Sequence, residues 1–273
     1  MKKILFAVFL SSFIYSCSTD FDINAGWEDI TVVYCLLNQT DSVHYVKINK
    51  AFLGAGNALT MAANPDSCTY GNNLEVSMEE WIDNVYKRTL NFDTTTIYNK
   101  EPGVFYYPEQ VVYKCPDYLD TLDQNAIYKL NIKNKKSGKL IYSQTPLVHT
   151  FSITKPVPGQ PAVFHATSAF NVKWYSGVNG KLYQVLIRFN YWETNIDSVG
   201  IDSSLHYVDW NLGSIISVGL EGGEDMETSY SGNAFFSFLK DNIPHYSGDN
   251  AEYIRHLAIP NVEFIFTVAA DVF

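Results

Sequence analysis

Positive charge is scarce in this chain of 273 residues, in which 19 Lys and Arg stand against 29 Asp and Glu for a formal net charge of −10. A chain this acidic has no electrostatic reason to bind nucleic acid or an anionic lipid surface. Charged residues of both signs make up only 18% of the sequence, which is too few for a disordered polar tail. We therefore expect a folded protein that does not bind nucleic acid.

Sequence patterns for metal and nucleophile chemistry are also missing. The six histidines are scattered, so that neither His-x-His nor His-Glu-x-x-His occurs. No Gly-x-Ser-x-Gly elbow and no phosphate-binding glycine loop is present. We expect no metal, no cofactor and no enzymatic activity. A triad or a metal site assembled by the fold from distant residues stays open, because such sites are geometric.

Two acidic features need separate consideration. Residues 221–227 combine glycine with carboxylates, as calcium loops do, but their spacing fits no EF-hand, so we interpret them as a solvated loop. Glu79 and Glu80 are adjacent on a predicted strand and point to opposite faces, so they cannot flank one glycosidic bond. We expect both to lie at the rim of the protein.

The apolar stretch at the N-terminus is short. Lys2 and Lys3 precede the run Ile4–Leu10, which is too short for a spanning helix of about 20 residues and is typical of a secretory signal peptide. The segment 14–17, Ile-Tyr-Ser-Cys, resembles a bacterial lipobox, in which the peptidase cuts before a cysteine whose thiol carries a diacylglycerol. We expect residues 1–16 to be removed and Cys17 to carry the lipid. The alternative is an ordinary signal peptide with a chance cysteine.

Three cysteines follow Cys17. Cys35 lies inside an apolar run and is predicted to be a buried small hydrophobe. Export permits disulfides, and Cys68 and Cys115 both lie in turn-like surroundings beside a proline. If one pair is bridged, we expect it to be Cys68 with Cys115.

Aromatic residues are abundant at 15%, with 19 Tyr and 17 Phe, and they favour strands. Residues 127–133 alternate between apolar and polar, a turn follows at 134–138, and Leu140–Tyr142 returns, which predicts a hairpin. Residues 183–191 place five large apolar side chains on one face and predict a central core strand.

The rest of the chain suggests its organisation. The proline-rich stretch 156–165 is a candidate boundary, because proline cannot serve an interior strand. We predict a signal peptide (1–16), a lipidated tether (17–26), an N-terminal β-sandwich domain (27–155), a linker (156–165) and a second β-rich region (166–273) that either closes a sheet or is cut short. Within these, residues 53–73 are expected to form a long surface loop.

Only one stretch predicts a helix. Ser231 is its expected cap, Phe235 and Leu239 lie on one side, and Pro244 follows its end. The predicted fold class is therefore all-β, an immunoglobulin-like β-sandwich or pair of sandwiches with one short helix in the second half.

Three stretches together resemble one uncharacterised family. They are residues 37–48, residues 230–239, and residues 253–257 leading into Val262–Val268. The chain is similar to the domain-of-unknown-function family 4249, lipoproteins of the Bacteroidota outer membrane. The resemblance implies association with TonB-dependent outer-membrane receptors and carries over no catalytic residue. It also implies a chain that continues past Phe273.

The expected function is a lipid-anchored accessory or binding protein of the outer membrane, on its surface or periplasmic face. Its expected attachments are the membrane, through the lipid on Cys17, and a TonB-dependent receptor. Asp20 and Asp22 resemble an acidic surface-export signal. The alternative is a glycan-binding surface adhesin, and third comes an unrecognised hydrolase. The aromatic residues considered for a sugar platform are Tyr106, Tyr107, Trp174, Trp192 and Trp210.

Overall fold

The computed structural model describes residues 30–51, 57–115, 121–195, 202–244 and 253–271. Cys17 and the tether therefore lie outside the described residues. Strands make up 53% of the described residues, and all their pairings are antiparallel, which confirms the all-β prediction. No described helix has the length and apolar character needed to cross a membrane.

Seven strands of the first half form one sheet in the order β1-β2-β5-β4-β3-β6-β7. The long strand β4 pairs with β3 through its first part and with β5 through its second part, so it belongs to both halves of the sheet. The strands are β1 (Thr31–Cys35), β2 (Tyr45–Lys50), β3 (Leu74–Ile82), β4 (Val85–Ile97), β5 (Gln110–Lys114), β6 (Ile127–Asn134) and β7 (Leu140–Pro146).

The predicted hairpin of β6 and β7 is confirmed, with Ile127 through Lys133 paired to Pro146 through Leu140. Tyr128, Leu130 and Ile132 point inward and are buried, because the polar residues between them occupy the other face. The first core joins them to buried residues of β2 and β3, including Val46, Ile48, Val76 and Met78.

Two short helices, α1 (Ala58–Ala62) and α2 (Pro65–Cys68), occupy the stretch that we predicted as a loop. An asparagine side chain caps the start of each helix. Asn57 accepts a hydrogen bond from the backbone N–H of Leu59 in α1, and Asn64 accepts one from the backbone N–H of Asp66 in α2. Proline at the first position of α2 suits a helix start. The prediction of a long surface loop over residues 53–73 therefore missed two short helices, which these caps stabilise.

The second half forms two three-stranded sheets, β11-β10-β13 and β12-β9-β8. The expected core strand β10 is central in its sheet, between β11 and β13. The elements are β8 (Ile153–Lys155), β9 (Ala169–Tyr175), β10 (Leu182–Asn195), β11 (Asp202–Ile216), β12 (Asp225–Ser231), α3 (Gly232–Asn242) and β13 (Tyr253–Ala269).

The two sheets of the second half face each other across a second core. Tyr183, Val185 and Ile187 are at most 1% exposed, and the ring of Trp174 in β9 lies 5.3 Å from that of Phe266 in β13. This contact between sheets is the packing expected of a β-sandwich.

The late helix forms where the sequence predicts it. Ser231 is at its N-cap but makes no side-chain capping hydrogen bond. Phe235 anchors the helix instead, because its ring stacks 4.1 Å from Phe164 and lies 5.7 Å from Trp210. The helix thus closes one end of the second core.

The two cores use different parts of the chain, the first ending with Leu147 and the second starting with Phe151. Strand β8, which fell inside the predicted first domain, pairs with β9. Phe164, in the predicted linker, packs against the second core. The domain limits themselves stay a prediction.

Candidate functional site

The sheet of the first half opens between β2 and β5. These strands pair only through Tyr45 with Lys114 and Val46 with Tyr113. Beyond that point β2 keeps its register with β1 as far as Lys50, and β5 keeps its register with β4 as far as Gln110. Because β2 stays paired with β1 and β5 stays paired with β4, the two strands separate from each other. A gap therefore lies between residues 47–50 of β2 and residues 110–112 of β5.

A cavity of about 690 Å³ lies on the outer side of this gap. Its floor includes Val32 and Tyr34 of β1, which point away from the core because Val33 and Cys35 pack toward it. Helix α2 and the segment before β5 form its walls. Its main lining residues are Val32, Tyr34, Lys47, Lys50, Pro65, Cys68, Lys100, Phe105, Tyr106 and Glu109.

Among the described residues that line this outer cavity, Lys47, Lys50 and Lys100 carry positive charge and Glu109 carries the one negative charge. All three are half-buried, and none takes part in the ion pairs that the described residues form. Lysine is seldom buried without a partner. In an acidic protein, this cluster marks the outer cavity as a place that attracts an anion.

Lys100 is held in position by its neighbours. Its Nζ donates a hydrogen bond to the carbonyl oxygen of Tyr106 at 2.6 Å and lies 5.7 Å from the centre of the Phe105 ring. Burial lowers the pKa of Lys100, and the positive charge of Lys47 lowers it further. A bound anion would relieve this repulsion between the two ammonium groups.

A second, larger cavity of about 1090 Å³ lies on the inner side of the gap. Its lining combines side chains of the first core, among them Cys35, Leu37, Met78 and Leu130, with exposed residues such as Leu36 and Ser143. The two cavities share the lining residues Tyr34, Lys47 and Gln110. They therefore meet where β2 and β5 separate.

One thiol lies in each cavity, and the third lies in the core. Cys68 lines the outer cavity and donates to the carbonyl of Ala62 at 3.8 Å, Cys35 lines the inner cavity, and Cys115 is fully buried. All three are free in this structure, so the candidate bridge between Cys68 and Cys115 is not formed in it. The reason is that Cys68 belongs to the surface helix α2, whereas the Cys115 side chain packs inside the first core.

Neither accessible thiol is activated for nucleophilic chemistry. Burial raises the pKa of Cys35 to about 11. Burial also raises the pKa of Cys68, although the charges of Lys100 and Lys50 oppose this. Reactive cysteines instead have a lowered pKa.

Glu80 does not lie at the rim as expected. It is buried on the Met78 face of β3 and pairs with Arg88 of β4, whose Nη2 lies 2.8 Å from Glu80 Oε2. Glu79 accepts a hydrogen bond from Trp81 Nε1 at 2.8 Å. The two carboxylates therefore do not converge on one site.

Residues 221–227 hold their carboxylates in internal contacts. Glu224 accepts the backbone N–H of Val218 at 2.7 Å, and Glu227 pairs with Lys173 at 2.9 Å. In the described parts of the chain, no three His, Cys, Asp or Glu side chains lie close enough to hold a metal ion.

The aromatic residues considered for a sugar platform separate in the structure. Trp174 is 1% exposed and Trp210 packs against the second core. Tyr106 lines the outer cavity and Tyr107 is exposed beside it. Trp192 is 40% exposed, on the outward face of β10.

That outward face carries a second ordered group. The guanidinium of Arg188 in β10 binds Asp209 of β11 through two hydrogen bonds of 2.8 Å and lies 4.1 Å from the ring centre of Tyr207. Asn190 donates to Glu263 of β13 at 2.9 Å. Sequence analysis missed both this group and the lysine cluster, because each is assembled by pairing between distant strands.

Comparison with known proteins adds little to this description. No family model matches the chain, and no curated protein matches it. Among solved structures, the C-terminal globular domain of oligosaccharyltransferase from Pyrococcus abyssi is similar with a TM-score of 0.31 and 12% identity. The match covers 90% of this chain and 50% of that one, so the chain spans about half the length of that protein structure.

Proposed function

We propose that this chain is a lipid-anchored binding protein of the outer membrane, and that it binds its ligand where β2 and β5 separate. The observation that carries the proposal is the lysine-lined opening, with its cavities of about 690 and 1090 Å³. These volumes are in the range of small-molecule sites. The anchor at Cys17 rests on the N-terminal sequence, and the receptor partnership rests on the family resemblance.

Binding without catalysis is the function that the residues of the opening support. Its thiols have raised pKa values, and its one carboxylate, Glu109, accepts a hydrogen bond from Tyr106 at 3.4 Å. Lysines beside apolar walls provide recognition of charge and shape, which a binding protein needs.

Protection of Cys68 tests whether the opening binds small anions. The full chain is incubated with acetate, benzoate, glucuronate or decanoate, and alkylation of the Cys68 peptide is followed by mass spectrometry. At least one carboxylate should slow alkylation, and Lys47→Gln should weaken the protection. Lys136→Gln, in the exposed turn after β6, is the matched control. If no carboxylate protects Cys68, the opening is not an anion-binding site.

The receptor partnership needs a separate test. Crosslinking in cells should join the lipidated protein to a TonB-dependent receptor, identified by mass spectrometry. Recovery of crosslinks only to abundant, unrelated envelope proteins would contradict the partnership and leave the ligand site unaffected.

A glycan-binding adhesin is the second candidate, favoured by Trp192 and Tyr207 on the outward face of β10 and β11. They are 40% and 57% exposed, and aromatic faces of this kind can stack on sugars. Binding to a glycan array should then fall on Trp192→Ala. It should not fall on Tyr142→Ala, which removes an aromatic ring that is 83% exposed in the other half.

A further inference from the structure

The outer cavity is lined by lysines, and the adjoining inner cavity has apolar walls. Together they indicate a ligand that has both an anionic group and an apolar part. We propose that the opening binds an amphiphilic carboxylate of the long-chain fatty-acid class, with its carboxylate on the lysines and its acyl chain in the inner cavity. This inference rests on the proposed function and specifies its ligand.

The head group is assigned from the positions of the lysines. Lys47 lines both cavities, so it lies where they adjoin. Lys100 is close enough for its charge to interact with that of Lys47. Both lysines line the outer cavity, and neither has an ion-pair partner among the described residues, so a carboxylate that binds Lys47 from this side is also attracted by Lys100.

The apolar body is assigned from the walls of the inner cavity. Lys47 is the only charged residue among the described residues that line it. Leu37, Met78 and Leu130 give it apolar walls, and polar side chains such as Asn99 and Gln144 also line it. A sugar acid would have to place some of its hydroxyl groups against the apolar side chains, where they lose water, which is unfavourable. An acyl chain brings no polar group to these side chains and removes apolar surface from water.

The entry path is the gap itself. Because Tyr34, Lys47 and Gln110 line both cavities, a molecule that occupies both would extend past these side chains. A slender unbranched chain with one charged end matches this arrangement. A compact anion would occupy the outer cavity alone.

The two thiols report separately on the two cavities. In the experiment, the full lipidated chain is reconstituted in phosphatidylcholine vesicles, because detergent would compete for an acyl site. Alkylation of Cys68, Cys35 and the buried control Cys115 is followed by mass spectrometry at known free ligand concentrations below micelle formation. Dodecanoate should slow alkylation of both Cys68 and Cys35, and acetate should leave Cys35 unaffected.

Chain length and charge provide further comparisons. Affinity should rise from octanoate to dodecanoate by up to about fourfold per methylene, which corresponds to a transfer free energy of about 0.8 kcal/mol. Neutral 1-dodecanol and cationic dodecyltrimethylammonium should protect at least tenfold less well. Equal protection by dodecanol would overturn the assignment of the head group. Protection by phosphatidylglycerol vesicles without added dodecanoate would overturn it in favour of a lipid phosphate.

Two variants separate the cavities. Ser143→Trp, at an exposed position that lines the inner cavity, should abolish protection of Cys35 and the dependence on chain length. Lys47→Gln should reduce the affinity for dodecanoate, and Lys136→Gln should not.

If glucuronate protects Cys68 while dodecanoate leaves Cys35 reactive, the binding function stands and the fatty-acid class is wrong. If no compound protects either thiol, both proposals fail.

Discussion

Arg88 Nε donates a hydrogen bond of 2.8 Å to Oε2 of Glu80, and Arg88 Nη2 forms an ion pair with the same oxygen at 2.8 Å, although the Glu80 side chain is only 8% exposed. The Tyr128 hydroxyl donates to the same oxygen at 3.3 Å. Burial, and then the charge of Glu80, raises the pKa of that hydroxyl, so it stays protonated as a donor. This group joins β3, β4 and β6 inside the first half of the protein.

Removing Arg88 should therefore be costly. Arg88→Ala leaves the Glu80 carboxylate buried without its cation, and we expect a loss of about 3 kcal/mol in the free energy of unfolding by urea. Lys87→Ala, at the exposed neighbouring position, should change it by less than about 0.5 kcal/mol. The double variant Arg88→Met with Glu80→Leu should recover most of the loss. A loss for Arg88→Ala as small as that for Lys87→Ala would contradict this account.

Burial on β10 is predicted to be one-sided, so two adjacent residues should differ. Phe189 packs against the second core, and Phe189→Ala should lower the free energy of unfolding by about 3 kcal/mol. Arg188 is on the outward face, paired with Asp209 at partly exposed positions, where ion pairs contribute little. Arg188→Ala should lower the urea midpoint clearly less than Phe189→Ala does. Equal losses would mean that both faces of β10 are buried.

The same ion pair predicts a pH dependence. Its hydrogen bonds to Arg188 lower the pKa of Asp209 below the usual value. The carboxylate therefore contributes stability at pH values above the unfolded-state pKa of about 3.9, and this contribution is lost as the pH falls through the lower folded-state pKa. Asp209→Asn should make the melting temperature less dependent on pH below about pH 4. Asp202→Asn is the control, and a similar change there would contradict the assignment.

The turn between β9 and β10 depends on the Tyr183 hydroxyl, which accepts the buried N–H of Gly177 at 2.7 Å. Tyr183→Phe leaves that N–H unpaired and should cost about 1–3 kcal/mol. A Cβ at Gly180 would lie 2.1 Å from the same oxygen, so Gly180→Ala should also destabilise. Gly180→Ala should cost less in the Tyr183→Phe background, because that variant removes the clashing oxygen. Strictly additive losses in urea would contradict the contact, and Gly103→Ala, in open space, is the control.

Alternation predicted the strands well wherever one face is buried, as at Tyr128–Ile132 and Tyr183–Ile187. Alternation also places Glu80 on the same face as Met78. We nevertheless expected a rim position, because a carboxylate is seldom buried without a cation, and the pairing with Arg88 across the hairpin is not visible in the sequence. The opening was not predictable. Lys47 and Lys100 are typical of solvated positions, and only the incomplete pairing of β2 with β5 brings them to one cavity.

The final prediction concerns Cys17, which lies outside the described residues and is argued from sequence. If the signal peptidase cuts before a lipid-modified Cys17, wild type should incorporate labelled fatty acid and partition with membranes. Cys17→Ser should lose both properties and appear in soluble periplasmic or medium fractions, because a net charge of −10 does not favour binding to an anionic membrane without the lipid. Cys68→Ser, whose thiol lines the outer cavity, should still be lipidated. If Cys17→Ser remains with the membranes and wild type takes up no label, the chain is not a lipoprotein.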